Sequence, residues 1–296
     1  MNALLSACLF GMSTPLAKIF LAEIEPVLMA SFLYIGSGLG LSIVMLVRDI
    51  ISKGSYREAR LARHDIPWLL GAILSGGIAA PIALMLGLKH TPAATASLLL
   101  NFEGAATALI AAMVFREAMG LRIWTAVAFV TLASALLSLE TRGEFGFSFG
   151  AVGVVCACIL WGIDNNLTRQ IASKDPISIV MIKGMIAGTF NLMLAVIVRH
   201  SSIPSMTLIF LSLLTGFVCY GLSIVFFIRA MRTIGSARTS TYFMSAPFIG
   251  AALSFAVFRE SPSIFFIISL PLMVVGVILL VNEKHSHLHT HAESVL

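Results

Sequence analysis

Residues 9–18 read LFGMSTPLAK, and residues 160–169 read LWGIDNNLTR. Aligned without a gap, the two stretches share two leucines and a glycine, place Phe10 opposite Trp161, and both end in a basic residue. Self-similarity at this separation indicates a duplicated structural unit, and a duplication determines the architecture of the whole chain. We therefore expect two copies of one unit, each beginning with this segment.

A second pair of matching stretches supports the duplication. ALIAAMVFRE at residues 108–117 aligns with AALSFAVFRE at residues 251–260, and both stretches end in Phe-Arg-Glu. Acidic-Pro pairs, Glu25-Pro26 and Asp175-Pro176, follow the first two stretches almost in register. The two copies are thus expected to keep the same order of elements.

The composition places both copies in a membrane. Of the 296 residues, 58% are apolar and 11% are charged, and the mean hydropathy is +0.99. A soluble globular chain carries about 25% charged residues, so the polar surface that would coat a water-soluble core is missing. A transmembrane β-barrel is excluded too, because its strands alternate polar and apolar residues, whereas residues 264–281 are apolar at nearly every position. The sequence predicts an all-α integral membrane protein.

Ten windows have the roughly 20 apolar residues that a membrane-spanning helix needs. They are residues 3–22, 27–47, 66–88, 93–114, 121–139, 148–168, 177–198, 206–228, 237–257 and 263–281. Five fall in each copy, at residues 1–143 and 144–282, and residues 283–296 form a tail. Because five is odd, the second copy is inverted relative to the first. Two inverted five-helix repeats are typical of secondary transporters, which bind substrate near the midplane and use alternating access.

The basic residues predict the orientation, since Lys and Arg near helix ends stay on the cytoplasmic side. Five of them lie in the longest connection, residues 48–65. With that loop inside, the other inner connections carry most of the remaining cations. The outer connections carry single cations, namely Lys89, Arg142, Arg199 and Arg259. Both termini are therefore predicted to be cytoplasmic, in a bacterial inner (plasma) membrane.

Three features point to a family: Phe10-Gly11 and Trp161-Gly162 in matching helices, the two five-helix repeats, and LLLNFEGAATALIAAMVFRE at residues 98–117. On these the whole chain resembles the drug/metabolite transporter (DMT) superfamily, specifically its ten-helix EamA-type members. Members typically have a Glu-Pro pair in the last stretch. Here Glu103 is kept but is followed by Gly104, and the second repeat keeps proline without the acid, as Ala246-Pro247.

This resemblance implies a basket in which helices 1, 3, 4, 6, 8 and 9 surround a central cavity, with helices 5 and 10 at the periphery. Within the superfamily the sequence is similar to YddG-type exporters of aromatic and other neutral amino acids. It has no Gly-rich Lys-Ser/Thr nucleotide motif, so ATP is not expected to drive it within this chain. No cofactor and no enzymatic activity are predicted.

Glu103 and Asn101 are the central polar candidates of helix 4. An ionisable group within a span is expensive and usually marks a pathway, so Glu103 is a candidate ligand for a substrate ammonium or a proton. The alternative is a structural carboxylate bonded to neighbouring helices. Residues two positions apart on a helix point about 200° away from each other, so we expect only one of this pair to face the cavity. We favour Asn101 for the substrate.

Helix 6 carries the other notable cluster. Trp161 offers a flat apolar surface for a cargo side chain, or alternatively anchors the helix at the interface. Asp164 could form an inner gate pair with Arg169 or Lys183, but we favour a polar cluster at the helix end as its explanation.

The remaining candidates are small, aromatic or helix-breaking residues, whose alternative is ordinary helix packing. The expected hinges are Pro15, Gly76, Pro81 and Pro247. The further substrate contacts are Ser13, Thr14, Gly77, Tyr220, Tyr242 and Ser245. No metal site is predicted, because the alternating histidines of the tail, His285, His287, His289 and His291, are more typical of a disordered tail than of a weak metal site.

The sequence thus predicts an exporter of aromatic and other neutral amino acids. Its expected partners are a small-molecule substrate and the lipid bilayer, not nucleic acid, with a monomer as the expected assembly. Scarce charge within the spans favours a neutral or zwitterionic cargo. The alternatives are an exporter of another metabolite or drug cation, an integral membrane enzyme, or a channel.

Overall fold

A computed structural model describes residues 1–51, 58–59, 61–116, 119–140, 146–198, 200–234, 239, 242–259 and 261–283. Several residues that belong to the loops, repeats and tail discussed above lie outside these ranges. They are the loop cations Lys53, Arg57, Arg60, Arg142, Arg199, Arg238 and Lys284, the repeat-ending Glu117 and Glu260, and the histidines of the tail.

Ten helical spans make up the described part of the chain. They are α1 (Asn2–Gly11 and Ser13–Phe20), α2 (Pro26–Ile51), α3 (Ile66–Ala72, Ile73–Ala79 and Ala80–His90), α4 (Ala93–Leu99 and Phe102–Val114), α5 (Leu121–Leu137), α6 (Phe149–Arg169), α7 (Pro176–Met193 and Leu194–Val198), α8 (Met206–Thr215, Gly216–Leu222 and Ser223–Ile234), α9 (Ala246–Phe258) and α10 (Ile264–Glu283). Seven are long and apolar enough to cross a membrane, and α5, α9 and α10 contain shorter apolar helices.

These spans form the predicted all-α bundle of two inverted five-helix repeats. Helix α1 starts at what we call the near end of the bundle, where residue 1 lies, and finishes at the far end. Each later helix runs opposite to the one before it. One short feature was not predicted: an antiparallel pair of two-residue strands, β1 (Leu139–Glu140) and β2 (Gly146–Phe147), which joins the repeats.

The acidic-Pro pairs have the same structural role in both repeats. Glu25 Oε2 accepts hydrogen bonds from the backbone N–H groups of Val27 (2.8 Å) and Leu28 (3.1 Å) at the start of α2. Asp175 Oδ1 accepts one from Ile177 N–H (3.1 Å) at the start of α7. In each pair the following proline occupies the first helical position, where its missing N–H has no effect. The two pairs therefore begin matching helices at opposite ends of the bundle.

The repeats also share a close helix contact. A Cβ atom built on Gly11 of α1 would lie 2.6 Å from the Ala246 carbonyl oxygen and 3.2 Å from Gly250 N of α9. One built on Gly162 of α6 would lie 3.0 Å from Thr107 N of α4. Gly11 matches Gly162 in the repeat alignment, and Gly250 matches Thr107. Only glycine allows these backbones to approach so closely.

Helix α3 is distorted where proline removes a donor. In the π-helical segment Ile73–Ala79 the N–H of Ala80 donates to the Ser75 carbonyl, and Pro81 has no N–H to give. The carbonyl oxygens of Gly76 and Gly77 therefore accept hydrogen bonds from side chains. The Gly77 carbonyl accepts from Asn191 Nδ2 of α7 at 3.4 Å. This places polar backbone in the middle of the bundle.

Candidate functional site

A cavity of about 570 Å³, which we call the first cavity, occupies the near half of the bundle. Its walls come from α4, α5, α6, α8, α9 and α10, with Phe10 contributed by α1. Its polar lining residues are Asn101, Glu103, Thr107, Asn165, Asn166 and Arg169. Apolar lining residues include Phe10, Leu100, Ile123, Phe227, Phe243, Met244, Val277 and Leu280. The cavity thus combines a few polar groups with an apolar wall, as ligand sites commonly do.

Glu103 is held by α6 from across the cavity. Asn165 Nδ2 donates to Glu103 Oε1 at 2.8 Å and also lies 3.2 Å from Thr107 Oγ1. Thr107 Oγ1 in turn donates to the Glu103 carbonyl oxygen at 2.8 Å. A carboxylate fixed in this way accepts hydrogen bonds from a cationic ligand with little loss of side-chain freedom. Asn165 lies beside Thr107 because α6 meets α4 closely at Gly162.

Asn101 and Glu103 both line this cavity, so the expectation that only one of them would do so is wrong. Helix α4 is interrupted at Leu100 and Asn101, where N–H groups bond three residues back. Asn101 N–H donates to Leu98 at 3.2 Å and Gly104 N–H to Asn101 at 3.3 Å. Three residues per turn place side chains two positions apart about 120° from each other, against about 160° in a regular helix, so both can reach the same cavity. The Asn101 side chain donates to the Leu98 carbonyl at 3.2 Å, which leaves Glu103 as the stronger candidate for cargo.

Trp161 lies apart from the first cavity. It is 7% exposed, and its indole Nε1 donates to the Gly76 carbonyl oxygen at 3.1 Å. Tyr34 Oη donates to the same oxygen at 2.6 Å. That carbonyl lacks a backbone donor because of Pro81. The structure therefore gives Trp161 neither a cavity surface nor an interfacial position, but a buried hydrogen bond to α3.

Asp164 is buried as well, and it forms an ion pair with Lys183 of α7. Thr168 Oγ1 donates to its second carboxylate oxygen at 2.9 Å. The favoured explanation, a polar cluster at the helix end, is wrong for Asp164, whose partner is one of the two that the sequence suggested. The other, Arg169, is exposed and lines the first cavity.

A chain of aromatic rings connects this buried region to the cavity. Centroid distances are 6.1 Å between Tyr34 and Tyr220, 5.6 Å between Tyr220 and Phe10, and 5.3 Å between Phe10 and Phe243. Phe227 continues the chain 5.1 Å from Phe243. The predicted candidate Tyr220 thus packs against cavity rings without lining the cavity itself. Offset and edge-to-face contacts at such distances hold aromatic rings in place.

The other candidate residues fall into two groups. Thr14 lies beside a small void that adjoins the first cavity, next to Gly11, and Pro247 lines both this void and the first cavity. Ser13 is buried near Tyr220. Tyr242 is 45% exposed, its carbonyl accepts from Ser245 Oγ at 2.6 Å, and neither residue lines the cavity.

The predicted hinges lie at irregular helix positions. Pro15 follows the interruption of α1 at Met12, and Pro247 is in the first turn of α9. Gly76 lies in the middle of the π-helical segment of α3, and Pro81 follows two residues after the end of that segment. Gly77 is packed against Ala187 and Lys183 of α7.

Sequence reasoning missed Asn165, Arg169, Thr107 and the rings of Phe10, Phe227 and Phe243 as cavity residues. Two signals could have found some of them. Phe10 is the repeat mate of Trp161, and Arg169 is the repeat mate of Lys18. No local signal identified Phe227 or Phe243, because an isolated phenylalanine in an apolar helix looks like core.

The EamA-like transporter family model matches residues 1–139 and 148–282, which together cover almost the whole chain. The chain belongs to the EamA-like transporter family. This EamA-family protein is 28% identical over 284 residues to an uncharacterized transporter of Methanothermobacter thermautotrophicus, covering 92% of this chain and 82% of that protein. A protein of known crystal structure has the same fold, with a TM-score of 0.66, 17% identity and 94% coverage of both chains.

Family membership makes this EamA protein a multi-pass membrane transporter, and proteins of the family are not generally enzymes. One implication of the resemblance differs in detail. Helices α5 and α10 were expected at the periphery, yet Ile123 and Leu280 reach the first cavity. Helix α3 was expected around it, but none of the described lining residues belongs to α3.

Proposed function

We propose that this EamA-family transporter exports neutral amino acids, including aromatic ones, from the cytoplasm by alternating access. The observation that carries the proposal is that one cavity brings together an acid, a base and aromatic rings. Glu103 would accept the substrate ammonium, Arg169 would attract its carboxylate, and Phe10, Phe227 and Phe243 would pack against its side chain.

The charge balance of the cavity favours a zwitterion over a drug cation. A cation needs only the carboxylate, and Arg169 would repel it, whereas an amino acid uses both charges at once. The cavity volume of about 570 Å³ falls within the roughly 300–1,000 Å³ common for small-molecule sites.

The proposed direction follows from the loop charges. With the basic near end in the cytoplasm, the first cavity would take up its cargo there, and both termini would be cytoplasmic. Bacterial inner-membrane localisation and this orientation belong to the proposal. A reporter fused to the C-terminus should be active on the cytoplasmic side, and periplasmic activity would contradict the orientation.

Proteoliposome flux of labelled phenylalanine, threonine and methionine tests the function. We expect saturable flux that Glu103→Gln reduces at least about tenfold, the loss expected when a charged hydrogen-bond partner is removed. Glu23→Gln, which removes an exposed acid from the far-end turn between α1 and α2, is the matched control and should keep wild-type flux. Absence of saturable flux for all three amino acids, or movement of lipophilic cations instead, would refute the amino-acid proposal.

A further inference from the structure

A second cavity of about 560 Å³ lies at the far end of the bundle. Its volume nearly equals that of the first. Its polar lining residues include Lys18, Lys89, His90, Thr95, Ser148 and Ser261. It shares no lining residue with the first cavity and has no role in the function proposed above.

The inverted repeat relates the two cavities. Lys18, in the second cavity, occupies the repeat position of Arg169 in the first. Phe266 likewise matches Ile123 when residues 108–117 and 251–260 are aligned and the alignment is continued through α5 and α10. Leu137 and Leu280 match in the same way, with one in each cavity. The second cavity is thus the structural counterpart of a site built for cargo.

Helix α1 runs from one cavity to the other. Phe10 lines the first cavity, Gly11 and Thr14 border the small void beside it, and Lys18 lines the second cavity. Lys18 lies eight positions after Phe10, a rise of about 12 Å along a helix. Helices α4 and α9 also pass from the first cavity, through the small void, to the second cavity. In that order the lining residues are Leu100, Ser97 and Thr95 along α4, and Pro247, Gly250 and Phe255 along α9. The cavities therefore lie in line along the same three helices.

The two cavities are separated by a close contact between the backbones of α1 and α9 at Gly11 and Gly250, which we call the seam. A Cβ atom built on Gly250 would lie 2.8 Å from the Gly11 carbonyl oxygen and 2.9 Å from Ser97 Oγ. Small residues permit this close approach of helices inside a membrane. Parting the seam would separate small residues at Gly11, Gly250 and Ser97, while Ile249, whose Cβ lies 3.2 Å from the Cβ position of Gly11, would move with α9.

The lining of the second cavity favours an anion. Lys89 and His90 are exposed there, and no acidic side chain occurs among its described lining residues. Lys18 Nζ donates to the carbonyl oxygens of Leu88 (2.6 Å) and Thr91 (2.8 Å), and these hydrogen bonds hold its ammonium group at the end of α3. Ser148 Oγ accepts from Ala151 N–H at 3.4 Å, so its own hydroxyl proton remains available for a ligand.

We propose that the second cavity is an exit site that binds the carboxylate group of the cargo after the seam between Gly11 and Gly250 opens. The proposal rests on the proposed function, because it assigns the second cavity to the same cargo. Lys89 would be the main contributor to binding, since Lys18 already donates to backbone carbonyls.

Thiol protection tests the site in a variant that lacks the four native cysteines. Thr95→Cys and Ser261→Cys place single thiols in the second cavity, and a membrane-impermeant maleimide is added from the far-end side. Ser202→Cys, exposed at the far end and outside both cavities, is the matched control and reports the orientation of the protein in the liposomes. The probes are phenylalanine, 3-phenylpropionate, which keeps only the carboxylate, and phenethylamine, which keeps only the ammonium.

We expect phenylalanine and 3-phenylpropionate to slow labelling of Thr95→Cys about fivefold at four times the dissociation constant, because protection equals 1 + [L]/Kd. Phenethylamine should not protect, and Ser202→Cys should be unaffected by all three probes. Adding Lys89→Gln should weaken protection about two- to fivefold in apparent affinity. If Thr95→Cys does not fold, Ser261→Cys gives the same readout.

The outcomes separate this inference from the proposed function. Amino-acid flux without protection by either carboxylate would overturn the exit site and leave the function intact. Protection by 3-phenylpropionate without amino-acid flux would support the site and refute the amino-acid cargo. Slow labelling without any probe in phosphatidylglycerol liposomes, but not in phosphatidylcholine liposomes, would identify an anionic lipid headgroup as the occupant and overturn the assignment.

Discussion

Lys183 of α7 forms an ion pair with Asp164 of α6 inside the bundle, and the Asp164 carboxylate lies directly against the Cα of Gly76 in α3. Only 6% of the Asp164 side chain and 15% of the Lys183 side chain are exposed. The pair thus joins two helices of the second repeat to the distorted helix of the first. Its position one turn from Trp161 places it next to the carbonyl that Tyr34 and Trp161 share.

Removing one partner of this pair should destabilise the protein strongly. Lys183→Met leaves a buried carboxylate without its cation, which costs about 3–5 kcal/mol. Thermal unfolding in detergent should show a large fall in Tm. The double variant Asp164→Asn with Lys183→Met should recover most of the loss, because no charge remains buried. A double variant as unstable as Lys183→Met would show that the lysine contributes by packing instead.

Gly76→Ala should also destabilise the protein, because a Cβ atom there would overlap the Asp164 carboxylate. Overpacking of this kind costs about 1–3 kcal/mol. Gly104→Ala is the matched control, since its Cβ would lie at ordinary contact distance, 3.6 Å from Leu280 Cδ1. Thermal unfolding of both variants in detergent measures the difference. Equal effects at the two positions would contradict the close approach at Gly76.

Asp175 should make stability depend on pH in the acid range. Burial alone would raise its pKa, but hydrogen bonds from Arg48 (3.1 Å) and Ser178 (2.8 Å) outweigh burial and hold the pKa below its usual value. A carboxyl whose pKa is lower in the folded state stabilises the fold above the unfolded pKa of about 3.9. That stabilisation is lost as the pH falls through the folded pKa.

The variant Asp175→Asn keeps a helix-capping side chain but loses this charge. It should be less stable than wild type at pH 7 by about 1 kcal/mol, and the difference should shrink as the pH falls below about 4. Unfolding in detergent across this pH range provides the measurement. A difference that stays constant with pH would show that the Asp175 charge does not contribute.

Asn165 should act through Glu103 and not independently of it. Asn165→Ala removes the 2.8 Å hydrogen bond that fixes the carboxylate, and the half-saturating concentration of amino acid should rise about tenfold, since a bond to a charged group contributes about 1.5 kcal/mol. In a double-mutant cycle, adding Asn165→Ala to Glu103→Gln should have much less effect. Additive losses would assign Asn165 its own contact with cargo.

The sequence predicted the elements well because their signals are local. Each of the ten apolar windows contains a helix, and α2 continues to Ile51, four residues beyond its predicted end. The acidic-Pro pairs predicted matching positions in the two repeats, where Glu25 and Asp175 both cap helices. Hydropathy and capping depend on neighbours a few residues away, so they can be read from the chain directly.

The candidate site was predicted less well because α3 and α4 depart from regular helical periodicity close to the polar residues. Asn101 and Glu103 share the first cavity at the point where α4 is interrupted between Leu99 and Phe102. Trp161 lies outside the cavity because its indole N–H donates to the Gly76 carbonyl oxygen, which has no backbone donor at Pro81. Neither effect follows from the spacing of residues in a regular helix.

The sequence by itself determined a duplicated, inverted membrane bundle, because composition, window length and the odd number of helices per repeat leave few alternatives. Only the tertiary structure decided which polar residues meet. Asp164 pairs with Lys183 of the next helix, and Asn165, its neighbour in the chain, bonds to Glu103 of the other repeat. Adjacent residues on a helix point about 100° apart, so the packing of surrounding helices assigns one to the buried core and the other to the cavity.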